Sequence, residues 1–198
     1  DMTTACPSRA MESPVRRFLF GGAVSMSAEM TADWLDASEV RPVPDHQEVR
    51  TERAGGANRS LVVELDEALP GADITAAREH FEELCNADAC QAGQLLSITP
   101  LAAADAVGDS AAGAIMPAPA VALSGVQLCA DGTRVLVSLV LIRLQAQATD
   151  LLVTVYRPLP PLHAMEANAS PGGADADAAL AEHVRSTLVV HDWGLFVT

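Results

Sequence analysis

The sequence contains no lysine, and its basic side chains are 12 arginines set against 26 aspartates and glutamates. A formal net charge of -14 opposes binding to nucleic acid phosphates and to anionic membrane surfaces. Tyr156 is the single tyrosine, so the sequence also lacks the aromatic set typical of proteins that stack single-stranded bases. We therefore expect no nucleic acid partner. The acidic surface either suits a basic protein partner or only keeps the protein soluble.

Motifs of the common enzyme classes are also missing. The sequence has no GxSxG elbow, no P-loop, no GxGxxG and no HExxH, and its five histidines are scattered. Ser124 and Gly125 lie within an apolar β-type stretch rather than in the strand–turn–helix context of a nucleophile. We expect no catalytic residues, no bound metal and no cofactor.

The four cysteines form no CxxC pair and have no histidine at metal-ligand spacing. Cys85 and Cys129 lie in apolar stretches, which predicts buried thiols and favours a reducing compartment, with two disulfides as the alternative. The first seventeen residues lack the apolar segment of a secretory signal. The long uncharged run 110–130 is built from Ala and Gly with Pro117 and Pro119, so we expect no membrane insertion.

The length of 198 residues, nearly half of them apolar, suits one domain with a full core. We expect residues 1–16 to form a flexible N-terminal tail and 17–198 to form a single domain. Residues 102–118 are mostly Ala, Gly, Asp and Pro, which predicts a mobile surface insertion.

Hydrophobic patterning predicts an α+β fold in which an antiparallel sheet of about six strands is sandwiched between helices. One helix is expected from its cap Asp73 to about Asn86, with Ile74 and Phe81 in the buried stripe, and a second begins at Asp175 or Asp177. We expect one helix on each face of the sheet, and an apolar C-terminal segment docked on it. The predicted strands are 17–20, 48–51, 60–67, 95–101, 121–129, 133–145 and 151–156.

One polar loop has a distinctive composition. Pro42 and Pro44 bracket Val43, so the backbone there is extended and cannot join a helix, and two carboxylates, Asp45 and Glu48, follow. Such a segment is either a solvated connector or a contact surface, and composition alone favours the connector.

Three other titratable residues receive structural interpretations. Glu64 and Asp66 alternate on one face of a predicted strand, which favours a solvated sheet face or edge. His80 lies at the edge of a helix's apolar stripe, where it is expected to satisfy a hydrogen bond.

The segments 19–23 (LFGGA), 35–38 (LDAS) and 40–49 (VRPVPDHQEV) resemble the Ran guanine nucleotide release factors, the Mog-type nuclear import proteins. The Pro-Asp-x-Gln-Glu-Val block with the upstream Gly-Gly is the specific part of a likeness that covers about residues 18–198. Weaker matches continue through 60–65, 80–82, 141–144, 149–152, 189–192 and 195–196.

The resemblance implies a PsbP-like α/β/α sandwich, binding to the GTPase Ran, and release of its nucleotide in support of nuclear import. It places the partner-binding acids at Asp45 and Glu48, and adds Asp36 and Arg41 from neighbouring matched motifs. We expect a monomer in the nucleus and cytoplasm. The alternatives are a PsbP-like scaffold or trafficking adaptor with a different protein partner, and a small-molecule-binding or hydrolytic domain.

Overall fold

The computed structural model describes residues 15–31, 33–53, 57–88, 90–102, 118–160 and 173–196. The predicted N-terminal tail and Ala-rich insertion lie outside these residues, apart from their boundary positions. Within the described residues, no helix is both long enough and apolar enough to cross a membrane.

The main sheet has seven strands in the order β3-β4-β5-β9-β8-β7-β6, and every neighbouring pair is antiparallel. The antiparallel pairing of β7, β8 and β9 agrees with the short connections between them, which parallel strands could not use. The strands are β3 Leu35–Asp36, β4 Gln47–Thr51, β5 Ser60–Glu67, β6 Ala92–Leu101, β7 Ala120–Leu128, β8 Arg134–Leu144 and β9 Thr149–Leu159.

A second sheet, missed by the sequence analysis, combines β1 Arg16–Leu19, β2 Val24–Ser27 and β10 Val189–Val190 in the order β1-β2-β10. Gly21 and Gly22 have φ of 64° and 101°, a backbone that reverses the chain between β1 and β2 and that favours glycine. The C-terminal segment pairs with β2 through Val189 and Val190. Its Phe196 packs in the same apolar cluster as Val140 and Val153 of the main sheet, which confirms the expected docking.

Two helices cover opposite faces of the main sheet, as predicted. In β8, Val140 and Ile142 pack in the cluster that holds Leu180 of α2, whereas Leu139 and Leu141 pack in the cluster that holds Phe81 of α1. Successive strand residues point to opposite faces, so this apolar strand contributes to both cores. The helices are α1 Asp73–Ala87 and α2 Ala174–Thr187.

Two predictions about α1 are wrong in detail. The cap position is Ala72, and Asp73 is the first helical residue, where its carboxylate accepts a hydrogen bond from Arg143 Nη1 at 3.4 Å. Ile74 is 40% exposed because the buried stripe runs through Ala76, Ala77, His80, Phe81 and Cys85.

Candidate partner-binding site

The Pro-bracketed loop is held firmly to the main sheet. It connects a 3-10 turn at Ala37–Glu39 to β4, and the Gln47 amide closes it by donating to the Pro44 carbonyl at 2.9 Å. The Leu65 amide donates to the His46 carbonyl at 3.0 Å and so fastens the loop to β5. Its backbone is therefore a fixed platform for the side chains it carries.

Asp45 lies at the tip of this platform and is exposed. Among the described residues, its carboxylate has no hydrogen bond or ion pair with another side chain or amide. A charged group presented this way can meet a partner without first breaking an internal contact.

Glu48 is half-buried and has an internal partner. Its Oε1 accepts a hydrogen bond from the Phe20 amide at 2.6 Å, which ties the 3-10 turn Phe20–Gly22 to β4. Glu48 therefore positions the turn beside the loop, and its second oxygen has no hydrogen bond or ion pair in the described part of the chain.

Asp36 is also engaged internally. It caps the 3-10 turn by accepting from the Ser38 amide at 3.0 Å and from the Ser38 hydroxyl at 2.6 Å, and it pairs with Arg50 Nη2 at 3.0 Å. Burial acts to raise the pKa of Asp36, but the Ser38 hydrogen bonds and the Arg50 charge outweigh it and lower the pKa below its usual value. Asp36 thus stays ionised and holds Arg50.

Three of the four sequence-predicted residues line one cleft, and the fourth lies elsewhere. Asp36, Asp45 and Glu48 line a cleft of about 390 Å³ between the Phe20 turn and the loop. Arg41 is exposed and instead lines a groove of about 550 Å³ beside α1.

The cleft has apolar walls that the sequence analysis did not assign to the site. Phe20 and Leu195 both line it. On β1, Phe18 is 62% exposed, and its ring centroid lies 5.8 Å from that of His191. Phe20 and Leu195 belong to matched segments of the family resemblance, which is the one signal that could have pointed to them. The arrangement offers carboxylates beside apolar contact area, which suits a basic protein surface.

A buried polar network lies on the α1 face. Asp150 is 0% exposed and accepts from Arg143 Nε at 3.0 Å and from the Leu69 amide at 3.0 Å, and it contacts His80 Nε2 at 2.8 Å. Burial acts to raise the pKa of Asp150, but the bonds from His80, Leu69 and Arg143 outweigh it and lower the pKa. The predicted hydrogen bond of His80 is confirmed, and the network anchors α1 to the sheet.

The prediction of a solvated face for Glu64 is wrong. Glu64 is 9% exposed because β5 lies inside the sheet, between β4 and β9. Its Oε1 accepts from Gln47 Nε2 at 2.5 Å and lies 3.4 Å from His46 Nε2. Asp66 on the same face is half-buried, and burial followed by the charge of Glu64 raises its pKa.

Three thiols, those of Cys85, Cys90 and Cys129, are free in the described residues. Cys85 is buried as predicted, whereas Cys129 is only half-buried because it lines the α1 groove. Burial, with smaller effects of Cys129 and Cys85, raises the pKa of Cys90 to about 11. This thiol therefore stays protonated at neutral pH.

Comparison with known proteins identifies relatives over most of the chain. The family model described as Ran-interacting Mog1 protein matches residues 17–158. The Ran guanine nucleotide release factor of Bos taurus is 37% identical over 150 residues, covering 72% of this chain and 75% of that protein. The Homo sapiens protein of the same name is 30% identical over 182 residues, which cover 90% of this chain and 94% of that protein.

Solved structures share the fold. The Saccharomyces cerevisiae Ran-binding protein Mog1p superposes with a TM-score of 0.70 at 23% identity, over 93% of this chain and 100% of that one. A mutant of protein Mog1 gives a TM-score of 0.70 at 22% identity, over 94% and 100%. The likeness confirms the predicted α+β sandwich, and the matches in sequence show that this chain belongs to the Ran-interacting Mog1 protein family.

Proposed function

We propose that this protein binds the small GTPase Ran and promotes release of its bound guanine nucleotide, in support of transport between nucleus and cytoplasm. The names of the relatives and of the family support this function. The observation that carries the site is the exposed Asp45 carboxylate, held on a loop whose backbone is bonded to β4 and β5.

The residues of the site take different roles in this proposal. Asp45 is the direct contact, because its carboxylate is exposed and has no internal partner among the described residues. Glu48 and Asp36 mainly position the cleft, because they bond Phe20 and Arg50 respectively. Arg41 is a peripheral contact at the other end of the loop.

A release factor must bind the nucleotide-free GTPase more tightly than the loaded one, because only a difference in affinity shifts the equilibrium. A GTPase holds its nucleotide through phosphate contacts from a lysine and backbone amides, together with Mg²⁺. Asp45 would pair with a basic group that becomes available when the nucleotide leaves. A close interfacial charge pair can carry about 1.5–7 kcal/mol of coupling, enough to favour that state.

The protein performs no bond-making chemistry in this scheme and acts as a monomeric binding partner in both nucleus and cytoplasm. Its effect on the GTPase is a change in the rate of nucleotide dissociation. That rate should rise and saturate with the concentration of the release factor.

The test is release of a fluorescently labelled nucleotide from Ran in stopped-flow measurements. We expect wild-type protein to accelerate release from Ran, and to leave release from an unrelated small GTPase unchanged. Release from Ran at the intrinsic rate, at every protein concentration, would overturn the proposed function and favour a different partner.

Two Glu48 variants separate positioning from charge pairing. Glu48→Gln keeps an oxygen to accept from the Phe20 amide, whereas Glu48→Lys removes the acceptor and reverses the charge. If Glu48 mainly positions the cleft, Glu48→Gln retains most of the release activity and Glu48→Lys does not. Equal losses in both variants would instead show that its negative charge contacts the partner.

A further inference from the structure

Three metal-ligating side chains meet on the α1 face of the sheet, outside the cleft described above. Glu64 and Asp66 lie two residues apart on β5, so their side chains share a face. His46 reaches the same place because Gln47 pairs with Glu64 in the register of β4 and β5. One ligand atom from each residue lies within 4.8 Å of the other two.

The sequence spacing predicted no metal site, since the imidazole and the carboxylates come from segments eighteen residues apart. Only the β4–β5 pairing brings them together.

Neighbouring groups hold these side chains in place. The hydrogen bond from the Leu65 amide to the His46 carbonyl fixes the backbone of His46 against the part of β5 that lies between the two acids. Gln47 Nε2 donates a hydrogen bond to Glu64 Oε1. The ring of His80, fixed by the contact of its Nε2 with Asp150, has its Nδ1 3.8 Å from Asp66 Oδ2 and 3.7 Å from Glu83 Oε2, too far for a hydrogen bond to either. In known metal centres, groups that surround the metal ligands orient them in this way.

The charge balance of the cluster favours a cation. Glu64 is buried and Asp66 is half-buried, and no arginine pairs with either carboxylate among the described residues. The nearest basic groups are the imidazoles of His46 and His80. Two closely spaced carboxylates in a partly desolvated place repel each other, and a divalent ion would offset that repulsion.

We propose that His46, Glu64 and Asp66 form a binding site for a divalent first-row transition metal ion, with Zn²⁺ as the best match. An imidazole nitrogen with two carboxylate oxygens suits zinc, manganese or iron, whereas calcium requires six to eight oxygen ligands. Three protein ligands leave a coordination position open for water or for a group from another molecule. Because His46 follows Asp45 directly, the bound ion fastens the loop that carries Asp45.

The experiment is titration of untagged full-length protein with ZnCl₂ by calorimetry, and with CoCl₂ by absorption spectroscopy, under reducing conditions. We expect one ion per chain in wild type and at least a roughly tenfold weaker affinity in His46→Gln, Glu64→Gln and Asp66→Asn. Glu67→Gln is the matched control, because this exposed carboxylate is on the same strand but points to the opposite face, and it should bind like wild type. The cobalt complex should show no thiolate charge-transfer band.

Three results would overturn the proposal. These are no zinc binding by wild type, equal affinity in wild type and all three ligand variants, or a thiolate charge-transfer band that assigns the ion to cysteines. Circular dichroism confirms that each variant is folded. Asp66 is less buried than Glu64, so Asp66→Asn and His46→Gln keep the test decisive if Glu64→Gln does not fold.

Discussion

Replacing Asp150 by asparagine should be among the most damaging single changes in the domain. Asp150 is 0% exposed, and its partner Arg143 is 4% exposed, so Asp150→Asn leaves a buried guanidinium without its main counter-ion. Breaking a buried pair from one side costs about 3–5 kcal/mol. Arg143 keeps the Leu69 and Gly71 carbonyls and Asp73 at 3.4 Å, so we expect about 3 kcal/mol.

The assay is equilibrium unfolding in urea followed by circular dichroism. Domains of this kind have free energies of unfolding of about 5–15 kcal/mol, so a loss of about 3 kcal/mol shifts the midpoint clearly. Asp33→Asn is the matched control, because Asp33 is exposed and has no hydrogen bond or ion pair with another described residue. It should change stability by less than about 0.5 kcal/mol. A free energy of unfolding for Asp150→Asn within about 1 kcal/mol of wild type would refute the reasoning.

The same network predicts a pH dependence. The pKa of Asp150 is lowered in the folded protein from its ordinary value of 3.8. The ionised Asp150 carboxylate therefore adds its full share to the free energy of unfolding above pH 3.8. That share is lost as the pH falls through the lower pKa that Asp150 has in the folded protein. The difference in stability between wild type and Asp150→Asn should shrink as the pH falls below about 4. A difference that shrinks above pH 5 would contradict this assignment.

Three further outcomes follow from particular contacts. Asp36→Ala should cost about 2 kcal/mol in urea unfolding, because it removes the Ser38 cap and leaves Arg50 buried, and an unchanged midpoint would contradict this. Cys90, with its pKa near 11, should be alkylated by iodoacetamide slowly at pH 7 and faster as the pH rises, and rapid labelling at pH 7 detected by mass spectrometry would contradict the assignment. Gly125→Ala should cost about 1–3 kcal/mol in urea unfolding, because the new methyl group would lie 2.5 Å from the Phe81 ring. In a Phe81→Leu background the same change should cost less, and an equal cost in both backgrounds would show that the strain does not come from the Phe81 ring.

The long strands could be predicted because their hydrophobic patterns lie within one continuous stretch of sequence. Leu136 through Ile142 is apolar at every position except Ser138, which predicted a strand covered on both faces, and β8 contributes to both cores. The short strand Val24–Ser27 was missed although its sequence VSMS alternates apolar and polar residues, because four residues are too few for that pattern to mark a strand, and the burial of both serines depends on tertiary packing. Its partner Val189–Val190 lies more than 160 residues away, and no local pattern marks such a pairing.

In the candidate site, too, local features could be predicted from the sequence and tertiary contacts could not. The two prolines predicted an extended, solvated loop, and Asp45 is exposed on it. The bond between Glu48 and the Phe20 amide joins residues 28 positions apart, so it follows from tertiary packing and could not be inferred from the loop itself. The burial of Glu64 likewise depends on the place of β5 inside the sheet, since alternation shows only which residues share a face.

The most direct test of the proposed site is calorimetric titration of Ran with Asp45→Lys, compared with wild type and Glu82→Lys. Glu82 is exposed on α1 and is not among the residues that line the cleft. Both variants replace one acid by lysine, so they change the net charge equally. We expect Asp45→Lys to weaken binding at least about tenfold, since loss of a coupling of about 1.5 kcal/mol or more corresponds to that factor, and Glu82→Lys to bind like wild type. Equal affinities for wild type and Asp45→Lys would contradict the assignment of Asp45 as the partner contact.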